Sequence, residues 1–190
     1  MRARALLLGF GAVAALVAAA SSAPAQDPAD DIVNKIINVP AVAAWRIDGI
    51  TKKPAPRNDE GVQGGKAVRV AVPGRSDQPW AISASNPIEK PVKAGDTLVL
   101  AFWARLEKGE GGAAEASLPS NSVQLARPPY TALFGGPATV GAEWKLHEIR
   151  GKADKDYAAG DLNVSLHLAT GKQVIDLGPV FVLDLGPDAK

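Results

Sequence analysis

Hydrophobic and polar positions alternate with a period of two through much of this chain. In residues 66–72 (KAVRVAV), Val68, Val70 and Val72 share one side and Arg69 takes the other. Residues 162–169 (LNVSLHLA) place Leu162, Val164, Leu166 and Leu168 opposite Asn163, Ser165 and His167. Successive side chains of a pleated strand point to opposite faces, so each segment predicts a strand with one apolar and one wet side. Residues 122–126 (SVQLA) set Val123 and Leu125 against Ser122 and Gln124 in the same way. Residues 97–103 (TLVLAFW) depart from this pattern: Leu98, Leu100 and Phe102 face one way, Val99, Ala101 and Trp103 the other. Both sides are apolar, which predicts a strand covered on both faces, the one the others pack around.

Further strands are predicted at residues 41–50 (AVAAWRIDGI), 79–85 (PWAISAS), 138–140, 144–150 (WKLHEIR) and 173–183 (QVIDLGPVFVL). Gly178-Pro179 interrupts the last of these and predicts a bulge or bend. Ile32, Val33, Ile36 and Ile37 recur at helical spacing, giving a short helix with Asp30 as N-cap that stops before Pro40. Residues 51–65 and 108–117 are Gly-rich polar loops, and residues 127–130 (RPPY) form an extended corner. About nine short strands, frequent turns and one minor helix predict an all-β fold, a single antiparallel sandwich of jelly-roll type over residues 41–190. Residues 26–40 form the helix and linker before it.

The first 25 of the 190 residues stand apart from this pattern. Arg2 and Arg4 precede an apolar stretch at residues 5–20, and Ala23-Pro24-Ala25 is a small-x-small cleavage site. Residues 1–25 therefore read as a secretory signal peptide, with the mature protein beginning at Gln26, exported to the periplasm or beyond. No later stretch approaches the ~20 apolar residues of a spanning helix. The chain has no cysteine, which excludes disulfides, thiolate metal sites, a cysteine nucleophile and a lipid-attachment cysteine. Net charge is +1, and losing Arg2 and Arg4 with the leader turns the balance slightly negative. With no basic cluster, nucleic acid is excluded as a partner.

Catalytic signatures are missing. The chain carries no G-x-S-x-G elbow, no H-E-x-x-H and no P-loop. Its two histidines, His147 and His167, lie on different predicted strands. Acids such as Asp59, Glu60, Glu107 and Asp154 occupy polar loops or segment ends, where solvated surface explains them. The chain is expected not to be an enzyme.

Six ordered segments carry a family resemblance: GGKAVRVAV (residues 64–72), PWAIS (79–83), PVKAGDTLVLAFWAR (91–105), EWKLHEI (143–149), LNVSLHLA (162–169) and QVIDLG (173–178). Together, from about Trp45 to Leu183, they resemble carbohydrate-binding modules of the family 4/9/22 type, which have the galactose-binding-like jelly roll. The resemblance implies non-catalytic binding of a polysaccharide or oligosaccharide in a shallow groove, and a glycoside hydrolase partner; none is attached in this sequence. It requires no cofactor but allows a structural calcium, with Asp176 among the oxygen ligands. Leu177 stands where that family commonly has a second acid.

A pyranose presents an apolar C–H face that stacks on an aromatic ring, and hydroxyls that pair with amides, imidazole or carboxylates. Gln124, Asn163, His167 and Gln173 are the expected hydrogen-bonding lining, on the wet sides of their strands. Tyr130, after two prolines, is the aromatic least explained by strand alternation. Trp80 begins a strand beside a polar loop and is a stacking candidate, although its alternation with Ile82 directs it to the core. Trp45, Trp103 and Trp144 lie in apolar patterns and are expected inside. The alternatives are a protein-docking module of the same fold, which would expose an apolar patch, and a small exported glycan hydrolase or esterase.

Overall fold

A computed structural model describes residues 28–189; the predicted leader lies outside the described residues. The helix α1 spans Pro28–Lys35, starting ahead of Asp30, which is thus inside it rather than its cap. Proline suits a first turn because its missing N–H would be unpaired there in any case.

Ten strands follow: β1 (Arg46–Asp48), β2 (Arg57–Asn58), β3 (Lys66–Val72), β4 (Ser83–Pro87), β5 (Thr97–Lys108), β6 (Glu115–Leu125), β7 (Ala132–Gly141), β8 (Lys145–Lys152), β9 (Leu162–His167) and β10 (Gln173–Asp184). They form two five-stranded sheets, β1-β4-β9-β6-β7 and β2-β3-β10-β5-β8, in which every pairing is antiparallel. The predicted all-β jelly-roll sandwich is the architecture observed.

The inner faces interdigitate as the alternation requires. Val68 and Val70 of β3, Leu98, Leu100 and Phe102 of β5, Val164 and Leu166 of β9, and Ile175 and Leu177 of β10 form one core cluster. Each side chain of this size contributes about 1.5–3 kcal/mol by leaving water. Strand β5 lies between β10 and β8, and its outward residues Val99 and Ala101 are buried as well. Their cross-strand neighbours, Leu183 with Arg150 and Phe181 with Glu148, carry enough aliphatic surface to cover them. His147 of β8 points inward and stacks on Phe102 with ring centroids 5.2 Å apart. Burial pushes this imidazole below its ordinary 6.5, so it stays neutral.

Two predicted strands begin differently. Residues 41–50 open with the 3-10 turn Val42–Ala44 before β1, and residues 79–85 open with the 3-10 turn Pro79–Ala81 before β4. Pro79 lacks the N–H a ladder needs and fixes φ near the helical value, while Ala81 N–H donates back to the Gln78 carbonyl at 2.8 Å. The loop at residues 108–117 is shorter than expected, because β5 runs to Lys108 and β6 starts at Glu115.

The interruption at Gly178-Pro179 is a bulge: the register between β10 and β5 shifts between Leu177 and Val180. The Gly178 carbonyl accepts the indole N–H of buried Trp45 at 2.8 Å, and a Cβ at Gly178 would lie 2.6 Å from Val62 Cγ2 and 2.8 Å from Trp103 Cβ. Gly178→Ala is therefore expected to lower the unfolding free energy by about 1–3 kcal/mol, as overpacking does. Urea titration of the two proteins measures it; an unchanged midpoint contradicts the close approach.

Candidate functional site

The outward side chains of the β1-β4-β9-β6-β7 sheet stack in cross-strand rungs. Asp48 pairs with Ser83, which pairs with His167. Ser85, Ser165 and Ser122 form the next rung, and Asn163 and Gln124 the third. Directly opposed residues share a face, so alternation on β4, β6 and β9 delivers all three rungs to one side of the sheet. A groove of about 610 Å³ runs over them, lined by these side chains except the buried Ser122, and by Trp80, Pro129 and Tyr130.

Aromatic rings stand at the two ends of the groove. Trp80 precedes β4 beside the His167 rung, and Tyr130 follows β6 beyond the Gln124 rung. They are 56% and 53% exposed, and they and Ile32 and Val33 are the large hydrophobic side chains left exposed among the described residues. The alternation that directed Trp80 inward does not hold, because the 3-10 turn at Pro79–Ala81 breaks the period ahead of Ile82. Trp80 and His167 lie with ring centroids 6.1 Å apart at 59°. Gly49 holds the Trp80 turn in place: its φ is +81°, and a Cβ there would lie 1.7 Å from the Ala81 carbonyl oxygen. No other residue accommodates both demands. Tyr130 has φ +56°, a left-handed value uncommon outside glycine, and its N–H donates to the Arg127 carbonyl at 2.9 Å.

Some hydrogen-bonding groups in the groove have no protein partner, while others are already engaged. Asn163 Oδ1 is buried and accepts nothing. Gln124 Oε1 accepts from Ser122 Oγ at 3.2 Å. Burial holds His167 below its ordinary 6.5, so the ring is neutral at pH 7, one nitrogen donating and the other accepting.

Five of the six sugar-lining residues expected from sequence thus meet in one groove: Trp80, Gln124, Tyr130, Asn163 and His167. Gln173 does not. It points inward from the start of β10, only 5% exposed, and its amide donates to the Leu168 carbonyl at 3.1 Å and to Thr170 Oγ1 at 2.9 Å. The other sheet supplies its strand, so no register brings it to the groove. Asp48, Ser83 and Ser85 were missed, although Ser83 and Ser85 alternate with Ile82 and Ala84; in β1 the three-residue strand is too short to declare a period.

Asp176 also has a different role from the one the resemblance implies. It is 0% exposed on β10, and its Oδ1 accepts from Arg69 Nε at 2.8 Å. Its Oδ2 accepts from Arg57 Nη2 at 2.6 Å, Arg105 Nε at 2.9 Å and Arg69 Nη2 at 3.0 Å. Arg57 and Arg105 also reach Asp59 Oδ2, at 2.9 and 3.1 Å. A carboxylate ringed by three guanidiniums offers no face to a divalent cation, and no group of three acids or histidines fit to hold a metal ion occurs among the described residues. The residues do not fit an Asp176 calcium site; an ion-pair network takes its place. Burial pushes the Asp176 carboxyl up, but hydrogen bonds from Arg69 and Arg105 and the Arg57 charge outweigh it and hold the group below 3.8. The same face holds two of the three tryptophans expected inside. Trp144 is half-buried, its indole N–H donating to Asp59 Oδ1 at 3.2 Å with Arg105 5.1 Å from its ring, and half-buried Trp103 donates to Gln63 Oε1 at 3.0 Å. Of the four tryptophans only Trp45 is buried.

No family model and no curated protein matches the chain in sequence. Solved structures match it in fold. A CBM4 structure aligns with TM-score 0.54 and 12% identity over 74% of this chain and 94% of that one. The second N-terminal cellulose-binding domain of Cellulomonas fimi β-1,4-glucanase C gives TM-score 0.56 and 20% identity over 79% and 95%. The CBM22-1–GH10 modules of Clostridium thermocellum endo-1,4-β-D-xylanase 10B, complexed with xylohexaose, give 0.55 and 16% over 82% of this chain and 28% of that one. At these identities the likeness is one of fold.

Replacing Asp176 by Asn removes the one carboxylate that pairs with all three guanidiniums, leaving Asp59 beside Arg57 and Arg105 and Glu107 beside Arg69 and Arg105. The expected loss at pH 7 is about 2–3 kcal/mol, below the 3–5 of a sealed ion pair because the arginine side chains keep 24–39% of their exposure. A carboxylate with a depressed folded pKa stabilises above its unfolded value and loses that contribution as pH falls through the folded one. The difference between Asp176→Asn and the parent should therefore be full at pH 5–7 and shrink below about pH 4. Urea titrations across that range measure it; a difference that persists unchanged into acid contradicts the network.

Proposed function

We propose that this protein binds a polysaccharide or oligosaccharide in the groove of the β1-β4-β9-β6-β7 sheet. The observation that carries the reading is one groove with exposed aromatic rings at both ends and partnerless amide and imidazole groups between them. Each ring offers a stacking face to the C–H side of a pyranose, and the rungs offer donors and acceptors to its hydroxyls. The fold shared with the cellulose-binding domain of glucanase C supports it.

The groove favours binding over bond cleavage. Asp48 is the one carboxylate among its lining residues, where hydrolysis of a glycosidic bond commonly takes two on opposite sides of it. Asp48, Ser83 and His167 share a rung, but the serine lies between the other two. Two strand spacings, ~9.6 Å, separate Asp48 from His167, so the carboxylate cannot orient the imidazole as a catalytic triad requires. The leader pattern of residues 1–25 supports an exported protein that acts beside secreted glycan-degrading enzymes. No helix among the described residues is long and apolar enough to cross a membrane.

Affinity electrophoresis and calorimetry against xylan, β-glucan, mannan and pectin test the reading. Retardation or heat with at least one polymer is expected, and Trp80→Ala and Tyr130→Ala should each weaken it about tenfold, ~1.4 kcal/mol. Both side chains are more than half exposed, so the variants should fold as the parent does. Silence with every polymer, or variants that bind as tightly as the parent, would overturn it.

A further inference from the structure

The groove does not end the outer face. Beyond Trp80, the loops joining β3 to β4, β5 to β6 and β9 to β10 meet at one end of the sandwich and enclose a cleft of about 470 Å³. Pro79 lines this cleft and Trp80, its neighbour, lines the groove, so a single 3-10 turn separates the two. That turn is fixed to the strand behind it: Ala169 N–H donates to the Pro79 carbonyl at 3.0 Å, and Leu168 N–H to the Ile82 carbonyl at 2.8 Å. Strand β6 links groove and cleft. Its register shift between Leu118 and Asn121 restores the alternation, so that Ser117 and Pro119 continue on the face that presents Ser122 and Gln124.

The cleft is furnished with acceptors. Gln173, displaced from the groove, reaches it from the sandwich interior. Its amide nitrogen is committed to Leu168 and Thr170, while its Oε1 accepts no hydrogen bond. This oxygen and the Glu110 carboxylate converge above Gly171: a Cβ there would lie 3.0 Å from Glu110 Oε2 and 3.7 Å from Gln173 Oε1. The missing side chain leaves a niche between two acceptors, one of them on a residue 95% buried. Glu115 and Arg75 border the same cleft. Gln173 Oε1 opens to the cleft without a protein partner, and with the glutamate carboxylates it offers a set of acceptors to the hydroxyl donors of a ligand.

We infer that groove and cleft form one continuous track for a single neutral polysaccharide chain running along the strands. This rests on the groove binding glycan. Four residue steps of β9, from Asn163 to His167, span ~13 Å, and nine steps of β6, from Gln124 to Glu115, span ~30 Å at ~3.3 Å per residue. At ~5 Å per linked pyranose, a few bond lengths across ring and bridging oxygen, the groove holds about three units and the whole track about six. Charge sets the class. Among the lining residues Asp48, Glu110 and Glu115 outnumber Arg75, Arg46 opposite Ser85 on the same face offsets only one of them, and His167 is neutral, so the net charge along the track favours hydroxyls over a chain of uronates.

Calorimetry with tri- and hexasaccharides of the best-bound neutral polymer, and with a hexauronate, tests this on the parent, on Glu110→Ala/Glu115→Ala and on Tyr130→Ala. Both glutamates are exposed, so their variant keeps the core intact. The parent should bind the hexasaccharide at least tenfold tighter than the trisaccharide and the hexauronate more weakly than either. The glutamate variant should lose the hexasaccharide advantage with trisaccharide affinity unchanged, while Tyr130→Ala weakens both. Equal affinity for three and six units, or a glutamate variant that keeps the full advantage, overturns the track while leaving the groove standing. Tighter binding of the hexauronate overturns the charge assignment. If no sugar of any length binds, the groove reading falls first and the track with it.

Discussion

Strand β9 is held between β4 and β6 in an unbroken antiparallel register, and the rest of the outer face depends on that double pairing. Its alternation is strict: Leu162, Val164 and Leu166 are buried in the core, while Asn163, Ser165 and His167 project the other way. A slip of one residue would move every apolar side chain of β9 to the wet face and every polar one into the core. The core therefore enforces the polar row as firmly as it enforces its own packing. Because β4 and β6 obey the same constraint, three separate alternations meet as rungs instead of scattering over the surface.

The second sheet handles polarity in another way. Its outer face is built around a fully buried carboxylate, Asp176, whose desolvation is offset by three guanidiniums and whose neighbour Asp59 shares two of them. Arg57, Arg69 and Arg105 come from β2, β3 and β5, so the network ties strands together across β10 through side chains as well as ladders. Trp103 and Trp144 lie over this face with their indole N–H groups satisfied, which is why apolar patterning alone misplaced them. Polarity on this sheet is consumed internally. On the first sheet it is left open.

Local backbone chemistry decides where the aromatics of the groove stand. A proline-led 3-10 turn lifts Trp80 out of strand alternation, and a glycine at 49 lets the turn approach β1. Tyr130 is held in a left-handed conformation at the opposite end. Conformations of this kind cost free energy in a non-glycine residue and persist only where the surroundings over-determine them. Both rings are presented to solvent by turns of constrained backbone, so a ligand stacking on them, as proposed, would have less to order.

The sequence by itself determined the all-β sandwich, the doubly covered β5, the bulge at Gly178-Pro179 and the apolar-in, polar-out sense of β3 and β9. Period two, turn chemistry and the absence of long helical patterns are local properties that a linear chain displays in full. It also marked five residues that the fold brings together, because their wet-side alternation or unexplained aromaticity is visible one segment at a time. Only the tertiary structure decided which sheet each strand joined. That step put Gln173 at the mouth of the sandwich and not in the groove, surrounded Asp176 with arginines drawn from residues 57, 69 and 105, and set Asp48, Ser83 and His167 on one rung. Pairing across tens of residues is settled by burial and hydrogen bonding summed over the whole core, and no local stretch of chain carries that sum.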